Sequence, residues 1–314
     1  MKWNSFHIFY HDQNRWDHFL IYLYKRLIDI YGKNTLPSFF FIRYWEGGPH
    51  LRFRVRNMGE INKDKFVRSI ADFFLEFPSE IEVNKSEFYN QYQMLLDNHE
   101  DREWYPNHSI QELAYIPETR RYNGETMLQL SESQFEFSSR YVIKFLEVNN
   151  PDLKRKYNHG LYILSYMVRS MKLSRQLQID FLRSYCIATL QTYVPEEIEK
   201  YLQSYRLKLE NNDLGKAISK YWSNNSNILY KQYTNFTEQI IESVKQNNFV
   251  FNDIKLKSIE ELDVYSHAII QLYWSWIHMF LNRLGVSPLM EAELTFLLSN
   301  SLNTHPIKEQ KYEI

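Results

Sequence analysis

Apolar residues recur along the first third of the chain at two spacings, and the alternation between these spacings marks out the elements. Phe6 to Tyr10 reads as a strand. From Asn14 to Tyr31, Trp16, Phe19, Leu20, Leu23, Leu27 and Ile28 fall at helical spacing, and Gly32 closes the segment. Phe39 to Tyr44 is apolar and runs into Glu46-Gly47-Gly48-Pro49, a turn signal. It leaves as a strand in which Arg52, Arg54 and Arg56 alternate with Leu51, Phe53 and Val55. A second helix is predicted from Lys63 to Phe77, ending at Pro78, and a further strand near Ile81 to Tyr89 or near Ile110 to Ile116. The order β-α-β-β-α-β is the split βαβ, ferredoxin-like arrangement, which sets the arginine hairpin in an antiparallel sheet.

Beyond Gly124 the period is helical throughout. Helices are predicted over Met127 to Glu147, Asn158 to Ser170, Arg175 to Tyr193, Pro195 to Leu209, Ile228 to Gln246, Ser258 to Leu284 and Leu289 to Leu302. The fold class is therefore α+β. A sheet region over 1–123 carries the arginine hairpin, a helical region follows over 124–314, and the two are expected to form one compact unit. The Asn-rich stretches Asn211-Asn212-Asp213 and Ser223 to Asn227 read as loops.

The hairpin is the first place where pattern becomes candidate chemistry. A period of two puts the guanidiniums of Arg52, Arg54 and Arg56 on one side and the apolar residues on the other. If the apolar side packs on the core, the arginines line a surface or cleft suited to a carboxylate or a developing oxyanion. A solvated strand face is the ordinary reading of such an alternation, but Arg43 and His50 flank the same turn and weigh against it.

Composition narrows the choices. A net charge of −1 gives no global attraction to nucleic acid or acidic membranes, so any anion binding is local. Aromatic residues make up 17% of the chain while Gly and Pro are scarce, which suits a helix-rich protein with amphipathic aromatic surfaces of the kind that hold peptides or partner proteins. Cys186 is the single cysteine and lies in an apolar run, so it reads as a small buried residue. No internal disulfide and no cysteine-based metal cluster can form. The histidines lack metal-ligand spacing: His99 and His108 fall in a polar loop, and His50, His267 and His278 are far apart, so no metal is expected. No P-loop or dinucleotide fingerprint appears, and no cofactor is expected. Neither a signal peptide nor a run long enough to span a bilayer is evident, which implies a cytoplasmic protein.

Three segments, in order, resemble one family. Arg43-Tyr44-Trp45-Glu46-Gly47-Gly48-Pro49-His50-Leu51-Arg52-Phe53-Arg54 is similar to the signature of the thiopeptide-type bacteriocin biosynthesis family, related to the C-terminal elimination domain of lantibiotic dehydratases. Tyr115-Ile116-Pro117-Glu118-Thr119-Arg120-Arg121-Tyr122-Asn123-Gly124 resembles that family's Tyr-x-Pro-Glu-x-x-Arg-Tyr-Gly-Gly. His278-Met279-Phe280-Leu281-Asn282-Arg283 resembles its His-Met-x-x-Asn-Arg segment. Asn123 departs from the pattern by replacing the first Gly of a pair, and because Asn tolerates a left-handed backbone, the turn is expected to survive.

The resemblance implies an enzyme that eliminates glutamate from glutamylated Ser or Thr in a ribosomally made peptide, leaving dehydroamino acids. Arg52, Arg54 and Arg121 would supply charge and His278 the proton transfer, with Arg43, His50, Glu118, Asn282 and Arg283 as substrate contacts. The residues themselves leave other readings open. His278 sits in an apolar, aromatic helix where a histidine is more often a hydrogen-bonded core residue. Asn282, one turn later on the same face, makes it a positioned imidazole. Glu118 and Arg121, three apart, could be only a local ion pair. Arg283 could cap or pair structurally, and His7 and His11 are as readily structural as functional. A pyridine synthase, joining two dehydroalanines by a formal cycloaddition, needs the same enolising pocket. A non-catalytic subunit that binds the leader peptide is a third reading. The implied partners are a leader-bearing precursor peptide and a separate glutamyl-tRNA-dependent glutamylating enzyme, since the chain is too short for a glutamyl-transfer domain. Direct nucleic-acid binding is not expected, and a homodimer is compatible with the sequence.

Overall fold

The computed structural model describes residues 2–90, 103–210, 218, 221–222, 224–252 and 262–304. Four strands form one antiparallel sheet: β1 (Trp3–Phe9), β2 (Phe39–Tyr44), β3 (His50–Arg56) and β4 (Ser109–Glu112), in the order β2-β3-β1-β4. Helix α1 (Trp16–Tyr31) links β1 to β2. Helix α2 (Glu60–Glu76) and the short α3 (Lys85–Asn90) lie between β3 and β4. With β3 inserted between β1 and β2, the sheet has the split βαβ order that the sequence predicts.

The register settles which side each residue takes. Phe6 pairs with Phe53, Ile8 with Leu51 and Phe41 with Phe53, so these residues share one face with Phe39 and Val55. That face packs on the helices. Phe66 of α2 lies 5.4 Å from Phe6 and 5.5 Å from Phe53 by ring centroid, and Phe19 of α1 stacks on Phe73 of α2 at 4.2 Å. Burying side chains of this size contributes roughly 1.5–3 kcal/mol each. Further helices are α4 (Glu125–Asn149), α5 (Leu153–Ser170), α6 (Arg175–Tyr193), α7 (Ile198–Glu210), α8 (Ile228–Lys245), α9 (Val264–Leu284) and α10 (Pro288–Thr304).

Contacts divide the chain into two units that differ from a simple cut at residue 123. The first holds Met1–Pro117 and Phe135–Pro151, and the second Glu118–Gln134 and Asp152–Ile314. In the first unit the later turns of α4 join the sheet: Phe135 packs 5.4 Å from Phe40, and the Phe41 amide donates to Ser139 Oγ. In the second, α9 is the axis, with Ile269, Leu272, Tyr273, Trp276, Phe280 and Leu284 wholly buried. Two of its buried polar side chains are bonded to other segments. Trp276 Nε1 donates to Ser131 Oγ at 2.9 Å, and the Tyr273 hydroxyl lies 2.7 Å from Thr237 Oγ1. Asp263 caps the start of α9 through the Tyr265 and Ser266 amides, and Gly285 at φ 84° closes it. Cys186 is buried on α6 beside Leu190, Tyr205 and Ala292, and burial pushes its thiol up to about 12.

Two sequence expectations shift. Of the alternatives for the last strand, Ile110 to Ile116 is the one that pairs, over Ser109–Glu112. Lys85–Asn90 is helical, with the Asn84 side chain accepting from the Glu87 amide. Helix α5 begins five residues before Asn158, where Asp152 caps it by accepting from the Arg155 amide. The predicted start of α9 at Ser258 lies outside the described residues.

Candidate functional site

In the first unit, Arg52, Arg54 and Arg56 do fall on the sheet face opposite the core, as the alternation requires, paired across β1 with His7, Ser5 and Trp3. The face is more covered than a bare strand would be, because aromatic rings cap the guanidiniums. Arg52 lies over Tyr44 at 3.4 Å, Arg54 over Tyr115 at 4.7 Å and Phe40 at 5.2 Å, and Arg56 over Trp3 at 4.5 Å. Arg54 is left only 8% exposed, with Nε donating to Ser5 Oγ at 3.4 Å. His50 is fully buried. Its Nδ1 lies 2.8 Å from the Gly48 carbonyl, and its Nε2 accepts from Arg52 Nε at 3.3 Å. His7 stacks on His50 at 5.1 Å. Burial first, and then the charges of Arg52 and Arg54, pull His7 down to about 3, and burial likewise drives His50 well below the usual imidazole value. Both rings are therefore neutral near pH 7, and the arginines carry the charge of this face. Arg43 takes the other face: it shares register with Leu51, and its guanidinium meets Asp17 of α1 at 2.6 Å.

In the second unit a pocket of about 180 Å³ brings Arg121 and His278 together. Three helices and one loop build it. Helix α6 presents Tyr185, Ala188, Thr189, Thr192 and Tyr193, spaced so that all lie on one face, and α9 presents Trp274, Ser275 and His278. Pro288 and Glu291 come from the start of α10, and Arg121 from the segment before α4. At the centre, His278 Nδ1 stands 3.0 Å from Glu291 Oε2, and the Tyr185 hydroxyl donates to the same oxygen at 2.8 Å. Glu291 is 1% exposed, whereas the His278 side chain keeps 31% of its surface open. Burial, followed by the charge of Glu291, raises Tyr185 well above the usual phenol value. The carboxylate sits in the first turn of α10, where the free amides and the helix dipole favour an acid.

Three further sequence candidates belong to the same unit. Glu118 pairs with Arg121 at 3.3 Å, both side chains being largely exposed. Asn282 is half-buried one turn beyond His278, and Arg283 is wholly buried with Nη1 donating to the Met279 carbonyl at 2.6 Å. Glu118, Asn282 and Arg283 are not among the residues lining the pocket. Sequence reasoning missed Glu291 and Tyr185. The available signal was an acid set within the apolar run Ala292, Leu294, Leu297 and Leu298 of α10, a position where a carboxylate needs a partner. Asn123 behaves as expected, at φ 58° with Gly124 at φ 101°. Among the described residues, no cluster of His, Cys, Asp and Glu could hold a metal ion, and no helix is long and apolar enough to cross a membrane.

A split βαβ sheet with a cationic face, followed in sequence by a mostly helical unit that sets an imidazole against a buried carboxylate in a pocket, makes this an α+β protein. The chain belongs to the lantibiotic biosynthesis dehydratase C-terminal family, whose model matches residues 3–302. Among solved structures it is similar to the pyridine synthase TbtD from thiomuracin biosynthesis, at 17% identity and a TM-score of 0.73, over 96% of this chain and 98% of that one. It is also similar to TsrL, at 13% identity and a TM-score of 0.65, over 96% and 94%. The tRNA-dependent lantibiotic dehydratase MibB from Microbispora sp. 107891 matches at 17% identity and a TM-score of 0.51, over 96% of this chain but 28% of that one. At these identities the likeness is one of fold. No curated protein matches the chain.

Proposed function

We propose that the protein is a lyase that eliminates glutamate from glutamylated Ser or Thr of a leader-bearing precursor peptide. The observation that carries this reading is the convergence of His278, held on Glu291, with Arg121 in one pocket. His278 takes the Cα proton, the Cα–Cβ double bond forms, and the Cβ–O bond breaks so that the glutamyl carboxylate leaves with its electron pair. Arg121 receives that carboxylate. Its pairing with Glu118 is exposed and therefore weak, so exchanging one carboxylate for another costs little. Arg52 and Arg54 are assigned to binding acidic groups of the substrate, with planar donors already held flat by aromatic rings. The glutamyl group comes from a separate glutamyl-tRNA-dependent enzyme.

A second reading, pyridine formation from two dehydroalanines, is favoured by the similarity to TbtD over nearly the whole of both chains. Mass spectrometry separates the two. Incubating the protein with a glutamylated precursor is expected to release free glutamate, leaving each modified residue one water lighter than Ser or Thr with the leader still attached. Inertness toward that peptide, together with separation of leader from core in one already holding two dehydroalanines, would select pyridine formation. His278→Ala is expected to keep the fold and lose at least about 100-fold in turnover, the scale of a lost general base.

A further inference from the structure

Glu291 has no role in the sequence motifs, yet its setting is not that of an ordinary core carboxylate. Its Oε2 takes two partners, His278 Nδ1 at 3.0 Å and the Tyr185 hydroxyl at 2.8 Å, while Oε1 has no hydrogen-bond partner among the described residues. A buried carboxylate placed only for stability would be expected to satisfy both oxygens, because each unmet lone pair keeps its desolvation cost. This one concentrates its donors on the oxygen that touches the imidazole. The contact also crosses a helix break. His278 is on α9, Glu291 is on α10, and Gly285 lies between them in the left-handed conformation.

We propose that Glu291 is the positioning residue of this site, fixing His278 in the tautomer with its proton on Nδ1 and the lone pair of Nε2 available to the pocket. A carboxylate accepts and does not donate, so the nitrogen facing it must carry the hydrogen. The opposite nitrogen is then the base. Tyr185 sets the carboxylate, donating from α6 to the same oxygen and keeping Oε2 in line with the ring. The titratable and charged groups around His278 in the pocket are Glu291 from α10, Tyr185 and Tyr193 from α6, and Arg121 from the preceding loop.

The catalytic consequence rests on the lyase reading; the tautomer does not, and the test keeps them apart. Two-dimensional NMR of ¹⁵N-histidine-labelled full-length protein, with the ring assigned by its loss in His278→Gln, is expected to show Nδ1 protonated at pH 8. Glu291→Gln still accepts from Nδ1 through its side-chain carbonyl and should hold that tautomer. Glu291→Leu should turn the ring to the Nε2-protonated form common for free imidazole. If the wild-type ring carries its proton on Nε2, or if the proton stays on Nδ1 in Glu291→Leu, the proposal is overturned. On glutamylated peptide, Glu291→Leu should lose at least about 10-fold in kcat, and Glu291→Gln, which keeps the acceptor, should recover most of it. A ring that changes tautomer in Glu291→Leu while turnover stays at the wild-type rate would uphold the positioning and remove His278 from the lyase mechanism.

Discussion

Arg54 illustrates what a single side chain can reveal in this protein. Its guanidinium is buried between Tyr115 and Phe40 with Nε toward Ser5, so both the charge and the flat shape are used. A lysine would keep the charge but could neither stack nor offer two parallel donors. Arg54→Lys is therefore expected to lose nearly as much turnover as Arg54→Ala, on the order of 100-fold on a glutamylated peptide. Wild-type rates in the lysine variant would mean that Arg54 acts as a point charge. Beside it, His7 makes a pH prediction. Its folded value of about 3 lies below the ordinary 6.5, so the unfolded chain binds this proton first on acidification. Stability from this group is complete above pH 6.5 and is lost as pH falls from there toward 3, by up to about 1.4 kcal/mol per pH unit. Urea denaturation of His7→Gln between pH 6.5 and 4.5 is expected to show a correspondingly flatter loss than wild type; parallel curves would refute it.

At the scale of elements, the segment ahead of α4 tests whether Asn123 is a mere substitute for glycine. The backbone at φ 58° would accept glycine, but the Asn123 side chain also donates from Nδ2 to the Val250 carbonyl at 2.9 Å and to Gln271 Oε1 at 2.6 Å. Asn123→Gly, although it restores the family pattern, should cost about 1–3 kcal/mol, the net worth of two lost hydrogen bonds, with the Asn252 amide still donating to Gln271 Oε1. Gly124→Ala should be at least as costly: a Cβ there would meet Val250 Cγ2 at 2.9 Å, with φ at 101°. Chemical denaturation of the two variants gives the comparison, and a wild-type midpoint for Asn123→Gly would reduce Asn123 to a turn residue. The same elements show what the sequence made legible. Strand and helix periods were strong wherever one face is buried, as in β3 and α6, whose observed bounds Arg175–Tyr193 match the pattern. They were weak in β4, a four-residue edge strand whose residues are not fully buried, and silent where a cap rather than an apolar face sets the boundary, as at Asp152. The motifs pointed to Arg121 and His278. They could not supply Tyr185, whose contact with Glu291 joins residues 106 apart in sequence, or the ring caps that bury Arg54.

For the whole molecule, the feature with the widest practical reach is the thiol on α6. Cys186 is the chain's only cysteine, buried, with its ionisation pushed up to about 12, so almost none of it is the reactive thiolate near neutrality. Ellman's reagent at pH 7.5 is expected to find essentially no reactive thiol in the native protein and one equivalent per chain in 6 M guanidinium, which makes the colour yield a direct count of unfolded molecules. Rapid reaction of the native chain would show that the packing of Leu190, Tyr205 and Ala292 around the sulfur opens readily. A silent native thiol also means that a cysteine introduced at Thr192 on the pocket wall would be the single alkylation target in the molecule. The protein is in effect already the cysteine-less background on which such a chemical reporter is built, and the shielding of that one sulfur from maleimide would track how long a peptide stays in the pocket.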